Sequence, residues 1–151
     1  MDTSGHIRQS SSARVLVDTN VVLDQLLRRE PWYTQAQPFW QARDERRLIA
    51  YLPASVLTDI YYIARRQIGS DPARQAVARC LREFGLLAVY RRVLEAAMAL
   101  PGTDVEDNVQ IVCAQFARLD LIVTRDASGF QHSPIPVLNP TNINGWLATR
   151  G

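Results

Sequence analysis

The sequence predicts an α/β fold, a three-layer α/β/α sandwich built on a mainly parallel sheet of four to five strands. Short apolar runs that suit buried strands alternate with longer segments of helical periodicity. Breaks at Gly69, Gly85 and Pro101-Gly102 separate them. A chain of 151 residues, 47% hydrophobic and 21% charged, has the size and composition of one ordinary globular core. It shows no internal repeat and no linker, so residues 13–151 are expected to form a single domain.

Arg14 to Asp18 is the first candidate strand. Asn20 then caps a helix reaching about Arg29, whose apolar side is Val21, Val22, Leu23, Leu26 and Leu27. Pro31 suits the first turn of a second helix running towards Arg47, kinked or broken at Pro38. Leu48 to Leu52 reads as a buried strand closed by Pro53. Helices follow over about Ala54 to Ile68 and Asp71 to Phe84, each stopped by a glycine. Leu86 to Tyr90 is a third strand and Val93 to Leu100 another helix. Thr103-Asp-Val-Glu106 has the form of a capping box and opens a helix to about Arg118. Leu121 to Thr124 and Ile135 to Leu138 complete the strands, and a helical turn begins near Thr141.

Several chemistries have no foothold. No apolar run approaches the roughly 18 residues that span a bilayer. Met1 to Ser12 is polar and Ser-rich, without the apolar middle of a signal peptide, and reads as a disordered extension. Cys80 and Cys113 form no Cys-x-x-Cys pair and read as buried reduced thiols of a cytoplasmic protein. His6 and His132 are too few for a His-based zinc site. No Gly-x-Gly-x-x-Gly, phosphate loop or Gly-x-Ser-x-Gly elbow occurs. The 17 basic residues are all arginine and face 15 acidic ones, a net charge of +2. Bulk charge therefore does not mark a nucleic-acid binder, and any such surface must come from segregated charges.

The aspartates are the informative feature. Asp18 ends the first strand and Asp126 lies just past the fourth. In an open parallel sheet the carboxyl ends of the strands share one edge, where ligand sites form. Asp107, in the first turn of the capping-box helix, and Asp59, in the first half of the third helix, are expected at the same edge. Each acid also has a local reading: a cap for Asp18, a dipole complement for Asp107, a surface position for Asp59, a turn for Asp126. Their joint placement favours a site. Two like charges ~4 Å apart repel by roughly 4 kcal/mol at an effective dielectric near 20. Four carboxylates together therefore call for protonation, arginine partners or a bound cation. Oxygen ligands suit Mg²⁺ and Mn²⁺, ions that activate water for attack on phosphorus.

At Val15-Leu-Val-Asp18-Thr-Asn20, Val105-Glu106-Asp107-Asn-Val-Gln and Leu121-Ile-Val-Thr-Arg-Asp126, the sequence resembles the PIN-domain nucleases, particularly their VapC-like toxin branch. Gly129-Phe130 and Ile135-Pro-Val-Leu-Asn-Pro140 resemble the closing segment, so the likeness runs from about Arg14 to Leu147. It implies a metal-dependent endoribonuclease using Mg²⁺ or Mn²⁺. The acidic positions would be Asp18, Asp107 and Asp126, the metal ligands, with Asp59 where the family often has glutamate. Thr124 and Asn20 would support the acids. The resemblance further implies a small antitoxin partner and a homodimer. Glu106 and Asp104 compete with Asp107 for its role, and the motif favours Asp107.

Arg125, between Thr124 and Asp126, is a candidate phosphate contact, with a salt-bridged surface arginine as the other reading. The doublets Arg28-Arg29, Arg46-Arg47, Arg65-Arg66 and Arg91-Arg92 read mostly as solvated helix ends. Trp32, Tyr33, Phe39 and Trp40 are core candidates, and Tyr61 and Tyr62 cannot both face one core. The alternative to an enzyme is a catalytically weak PIN-like module that binds RNA or protein. An aspartyl-nucleophile phosphatase is disfavoured, because Asn20 stands where that chemistry wants a second aspartate.

Overall fold

Successive side chains of a strand point to opposite faces of its sheet, and β1 (Ala13–Val17) shows the consequence. In this computed structural model, which describes residues 12–151, Ala13, Val15 and Val17 enter one apolar cluster and Leu16 enters another. With β2 (Leu48–Pro53), β3 (Gly85–Leu87), β4 (Leu121–Val123) and β5 (Val137–Leu138), β1 forms a five-stranded sheet in the order β3-β2-β1-β4-β5. Every pairing is parallel, so the expected mainly parallel sheet is wholly so.

Helices cover both faces. The first cluster is completed by Val22 of α1 (Thr19–Leu26), Phe39 of α3 (Gln37–Asp44), Ile60 of α4 (Val56–Ile68), Cys80 of α5 (Ser70–Glu83) and Ile143 of α8 (Ile143–Arg150). The short α2 (Trp32–Gln35) leads into α3. The second cluster is completed by Val93 and Ala97 of α6 (Arg91–Ala99) and Ile111 and Val112 of α7 (Val105–Phe116). This is the three-layer sandwich, with the sheet between two apolar interfaces. No helix among the described residues is long and apolar enough to cross a membrane. Except for Ser12, the Met1 to Ser12 extension lies outside the described residues.

Local differences have local causes. Asn20 is not the cap of α1; the helix starts at Thr19 with Asp18 in the cap position. The Asp18 carbonyl, not its side chain, receives the Val21 and Val22 amides. The expected capping box is displaced by one residue, because Asp104 accepts the Asp107 N–H at 3.0 Å. Pro38 sits in the first turn of α3, and the expected second helix is broken at Ala36. The third strand runs Gly85–Leu87 rather than Leu86 to Tyr90. It follows β2 only as far as Pro53, and the Ala54 amide caps it at the Leu87 carbonyl.

Three helix ends share one device. Arg28, Arg46 and Arg118 have φ of 51°, 59° and 54°, the left-handed region where helices usually place glycine. The next amide in each case, of Arg29, Arg47 and Leu119, reaches back to the carbonyl five residues earlier. Two of the arginine doublets are accordingly helix terminators. Phe39 and Trp40 are core, edge-on to each other at 4.9 Å, while Trp32 stays 37% exposed. Both cysteines are buried free thiols.

Candidate active site

The sheet order changes direction beside β1: the chain leaves β1 for α1 on one face and reaches β4 from α7 on the other. Such switch points open a crevice at the carboxyl ends of the strands. Asp18 stands directly after β1, its amide donating to the Val123 carbonyl of β4 at 2.9 Å. Asp126 stands three residues after the end of β4.

Asp18 is only 6% exposed. Its carboxylate accepts the Thr124 hydroxyl at 2.8 Å and the Gln110 Nε2–H at 3.2 Å. These bonds occupy the side chain that a helix cap would have used. The Thr124 oxygen also accepts the Asp126 amide at 3.1 Å, so one buried hydroxyl links the two acids. Asp126 is itself held by the Ser128 hydroxyl and amide, at 2.6 and 3.1 Å, which keep its carboxyl below the usual range.

Asp107 lies in the first turn of α7. Burial, then the charges of Asp104, Asp18, Glu106 and Asp126, push its carboxyl up to about 7. Three of the expected acids, Asp18, Asp107 and Asp126, thus share one electrostatic neighbourhood. Burial also raises Glu106, opposed by the Thr19 hydroxyl and reinforced by Asp59, Asp18 and Asp104. Asp59 is exposed on α4 and shares with Glu106, Thr19 and Asn20 a cleft of about 360 Å³. The acids form a band: Asp126 acts on Asp107, Asp59 acts on Glu106, and Asp18 acts on both. Asn20 lines the cleft, and among the described residues its side chain forms no hydrogen bond.

Among the described residues no three carboxylates already stand as a set that grips a cation. The donors nevertheless fit one hard divalent ion, being all oxygen and mutually repelling. Gly129 shapes the site as well, since a Cβ there would collide with the Asp107 carboxylate. Gly129→Ala should therefore displace the Asp107 carboxylate and alter the pH dependence of the melting temperature near pH 7. A melting temperature that follows pH as in wild type, measured beside an unchanged far-ultraviolet spectrum, would refute the contact.

Sequence reasoning overlooked two buried residues. Gln110 is fully buried, and among the described residues its Oε1 has no partner, although its amide nitrogen serves Asp18. It closes the Val105-Glu106-Asp107-Asn-Val-Gln segment, but its own role is signalled only by polarity between Val109 and Ile111. Asp24, 1% exposed, lies 3.0 Å from Arg29 Nε and accepts Arg125 Nε at 2.7 Å. The Arg125 guanidinium also lies over the Trp32 ring at 4.0 Å. The candidate phosphate contact is therefore anchored through Nε, and any substrate contact falls to its outer nitrogens.

Comparison with known proteins bears on the fold. Mycobacterium tuberculosis VapC20, a sarcin-ricin loop cleaving toxin, has a similar structure with TM-score 0.65 and 14% identity, covering 78% of this chain and 94% of that one. A toxin–antitoxin complex from Klebsiella pneumoniae gives 0.62 and 20%, covering 83% and 97%. VapBC2 from Rickettsia felis, bound to a DNA fragment from its promoter, gives 0.60 and 11%, covering 83% and 98%. These likenesses show a shared fold. Comparison with curated proteins finds no match. The PIN domain family model matches residues 14–128, spanning Asp18, Asp59, Asp107 and Asp126, and the chain belongs to the PIN domain family.

Proposed function

We propose that the protein is a Mg²⁺- or Mn²⁺-dependent endoribonuclease that hydrolyses RNA phosphodiester bonds, the toxin of a VapBC-like pair. The supporting observation is the Asp107 carboxyl, raised by burial and by Asp18 and Asp126 among its acidic neighbours at the sheet's switch point. In this reading Asp18, Asp107 and Asp126 hold the ion and Asp59 assists from the cleft. A divalent ion there supplies charge neutralisation at phosphorus and a more acidic water. Thr124 and Gln110 fix the Asp18 carboxylate, Ser128 fixes Asp126, and Asn20 is free to reach substrate or an acid. The outer nitrogens of Arg125 would meet a phosphate oxygen.

A small antitoxin is proposed as partner, since several similar structures are toxin–antitoxin complexes. Self-association into a homodimer is proposed with it. An exposed apolar groove of about 480 Å³ between α4 and α5, lined by Leu57, Tyr61, Val77 and Leu81, supports a protein contact. Cellular RNA as substrate implies work in the cytoplasm.

Incubation of the purified protein with labelled single-stranded RNA and Mn²⁺ should give discrete products, and EDTA should abolish them. Products that persist in EDTA would refute metal dependence. A second reading, a PIN-like binding module without catalysis, is favoured by the lack of a ready-set carboxylate trio among the described residues. It predicts RNA binding and no cleavage under the same conditions.

A further inference from the structure

Asp59, Tyr62, Ile63 and Arg66 fall at i, i+3, i+4 and i+7 on α4, one stripe of the helix, and all four line the cleft beside the acids. Thr19, Asn20 and Leu23 of α1 form the facing wall, and Glu106 of α7 joins them. Tyr62 is 57% exposed, with its ring propped edge-on against Tyr61 at 5.1 Å. Among the described residues Arg66 is the one cation lining the cleft. Among the described residues the ion pairs go to other arginines, and Arg66 has none.

These groups occur in a chemically meaningful order. Arg66 lies about 10 Å along the helix axis from Asp59, at 1.5 Å per residue. An anion is repelled near Asp59 and Glu106 and attracted at the Arg66 end. Between the two on α4 lies the aromatic face of Tyr62, and the Asn20 amide, which suits sugar hydroxyls, lines the same cleft from α1. Base stacking on an exposed ring requires an unpaired base, and the 2′-hydroxyl distinguishes RNA at such a site.

We propose that this cleft is the subsite for a nucleotide next to the cleaved bond, in which Tyr62 stacks the base and Arg66 pairs with a backbone phosphate. The proposal deepens the nuclease reading and rests on it. The strand would run along α4, and the substrate would be single-stranded there. A complement to the dipole at the end of α4 is the purely structural role open to Arg66. That role does not involve Tyr62, whose exposed ring also borders the groove between α4 and α5, so a protein contact is the other use open to it.

The test is fluorescence anisotropy with a short labelled single-stranded RNA and its duplex, with Ca²⁺ replacing Mn²⁺ and gels checking for cleavage. Arg66→Gln should weaken binding of the single strand about ten-fold. It should also reduce the slope of log affinity against log salt by about 0.7, the share of one phosphate contact. Tyr62→Ala should weaken single-strand binding about ten-fold, within the usual range for losing one stacked base. Tyr62→Phe should restore it, and duplex binding should ignore Tyr62. Both side chains are exposed, and thermal melts of the variants should match wild type. Unchanged affinity and salt slope in the Arg66 and Tyr62→Ala variants would overturn the subsite while leaving Mn²⁺-dependent cleavage intact. Wild type that binds the strand with these dependences but never cleaves it supports the subsite and overturns the nuclease reading. Wild type that neither binds nor cleaves RNA overturns both.

Discussion

Asp18→Asn is expected to reduce Mn²⁺-dependent RNA cleavage by at least about 100-fold, since losing even an outer partner of a metal ligand costs 10- to 100-fold. The fold should survive. The introduced amide keeps one oxygen for the Thr124 hydroxyl, now 2.8 Å from Asp18. Its nitrogen would face Gln110, whose Oε1 is buried and, among the described residues, without a partner. A flip of the Gln110 amide turns that oxygen towards the new N–H and satisfies both groups. One negative charge also leaves the band that raises Asp107 and Glu106. The Tm without metal should therefore stay level or rise, and the Mn²⁺-induced increase should shrink. A large Tm loss without metal would mean that Asp18 is structural.

Asp24→Asn should have the largest effect on stability. Asp24 is 1% exposed and holds Arg29 and Arg125, whose side chains are 26% and 24% exposed. Removing one partner of a fully buried pair costs 3–5 kcal/mol; partial solvent access to the arginines reduces the expectation to about 2–4 kcal/mol. For a chain of this size that is on the order of 10 °C in Tm. Arg125 directly precedes Asp126, so turnover should fall as well, without loss of metal binding. Denaturant titration provides the check, and a shift within about 0.5 kcal/mol would show that the clamp is a surface feature.

The particular residues explain what the sequence made visible. Asp18 and Asp126 were legible because strand ends in a parallel sheet share an edge, a property of topology that strand signals carry. Pro38 announced its break because its ring denies the chain a backbone donor. Asp24 and Gln110 were not legible. A polar residue within a helix looks alike whether it is solvated or buried, and the partner of Asp24 on Arg125 lies 101 residues away. Glu106 and Asp107 stand in different surroundings, which adjacency in the sequence does not reveal. Adjacent helical residues diverge by about 100°, so one turn can serve two parts of the band. Asp107 shares its surroundings with Asp126, and Glu106 with Asp59.

The Asp107 carboxyl, at about 7 when folded against an ordinary value of 3.8, sets the pH behaviour. A carboxyl raised by folding favours the folded state most below its unfolded value and loses that contribution as pH rises through about 7. Without metal, the Tm should accordingly decline between pH 5 and pH 8, with Mn²⁺ restoring it at the upper end. Metal binding must also expel that proton. Calorimetric titration of Mn²⁺ at pH 8 and pH 6 into wild type and Asp18→Asn tests the acidic band most directly. Expected is saturable binding by wild type, weaker at pH 6 by on the order of ten-fold, and little or none by the variant. No saturable heat from wild type at pH 8, or equal binding by both proteins, would contradict a metal site built on Asp18, Asp107 and Asp126.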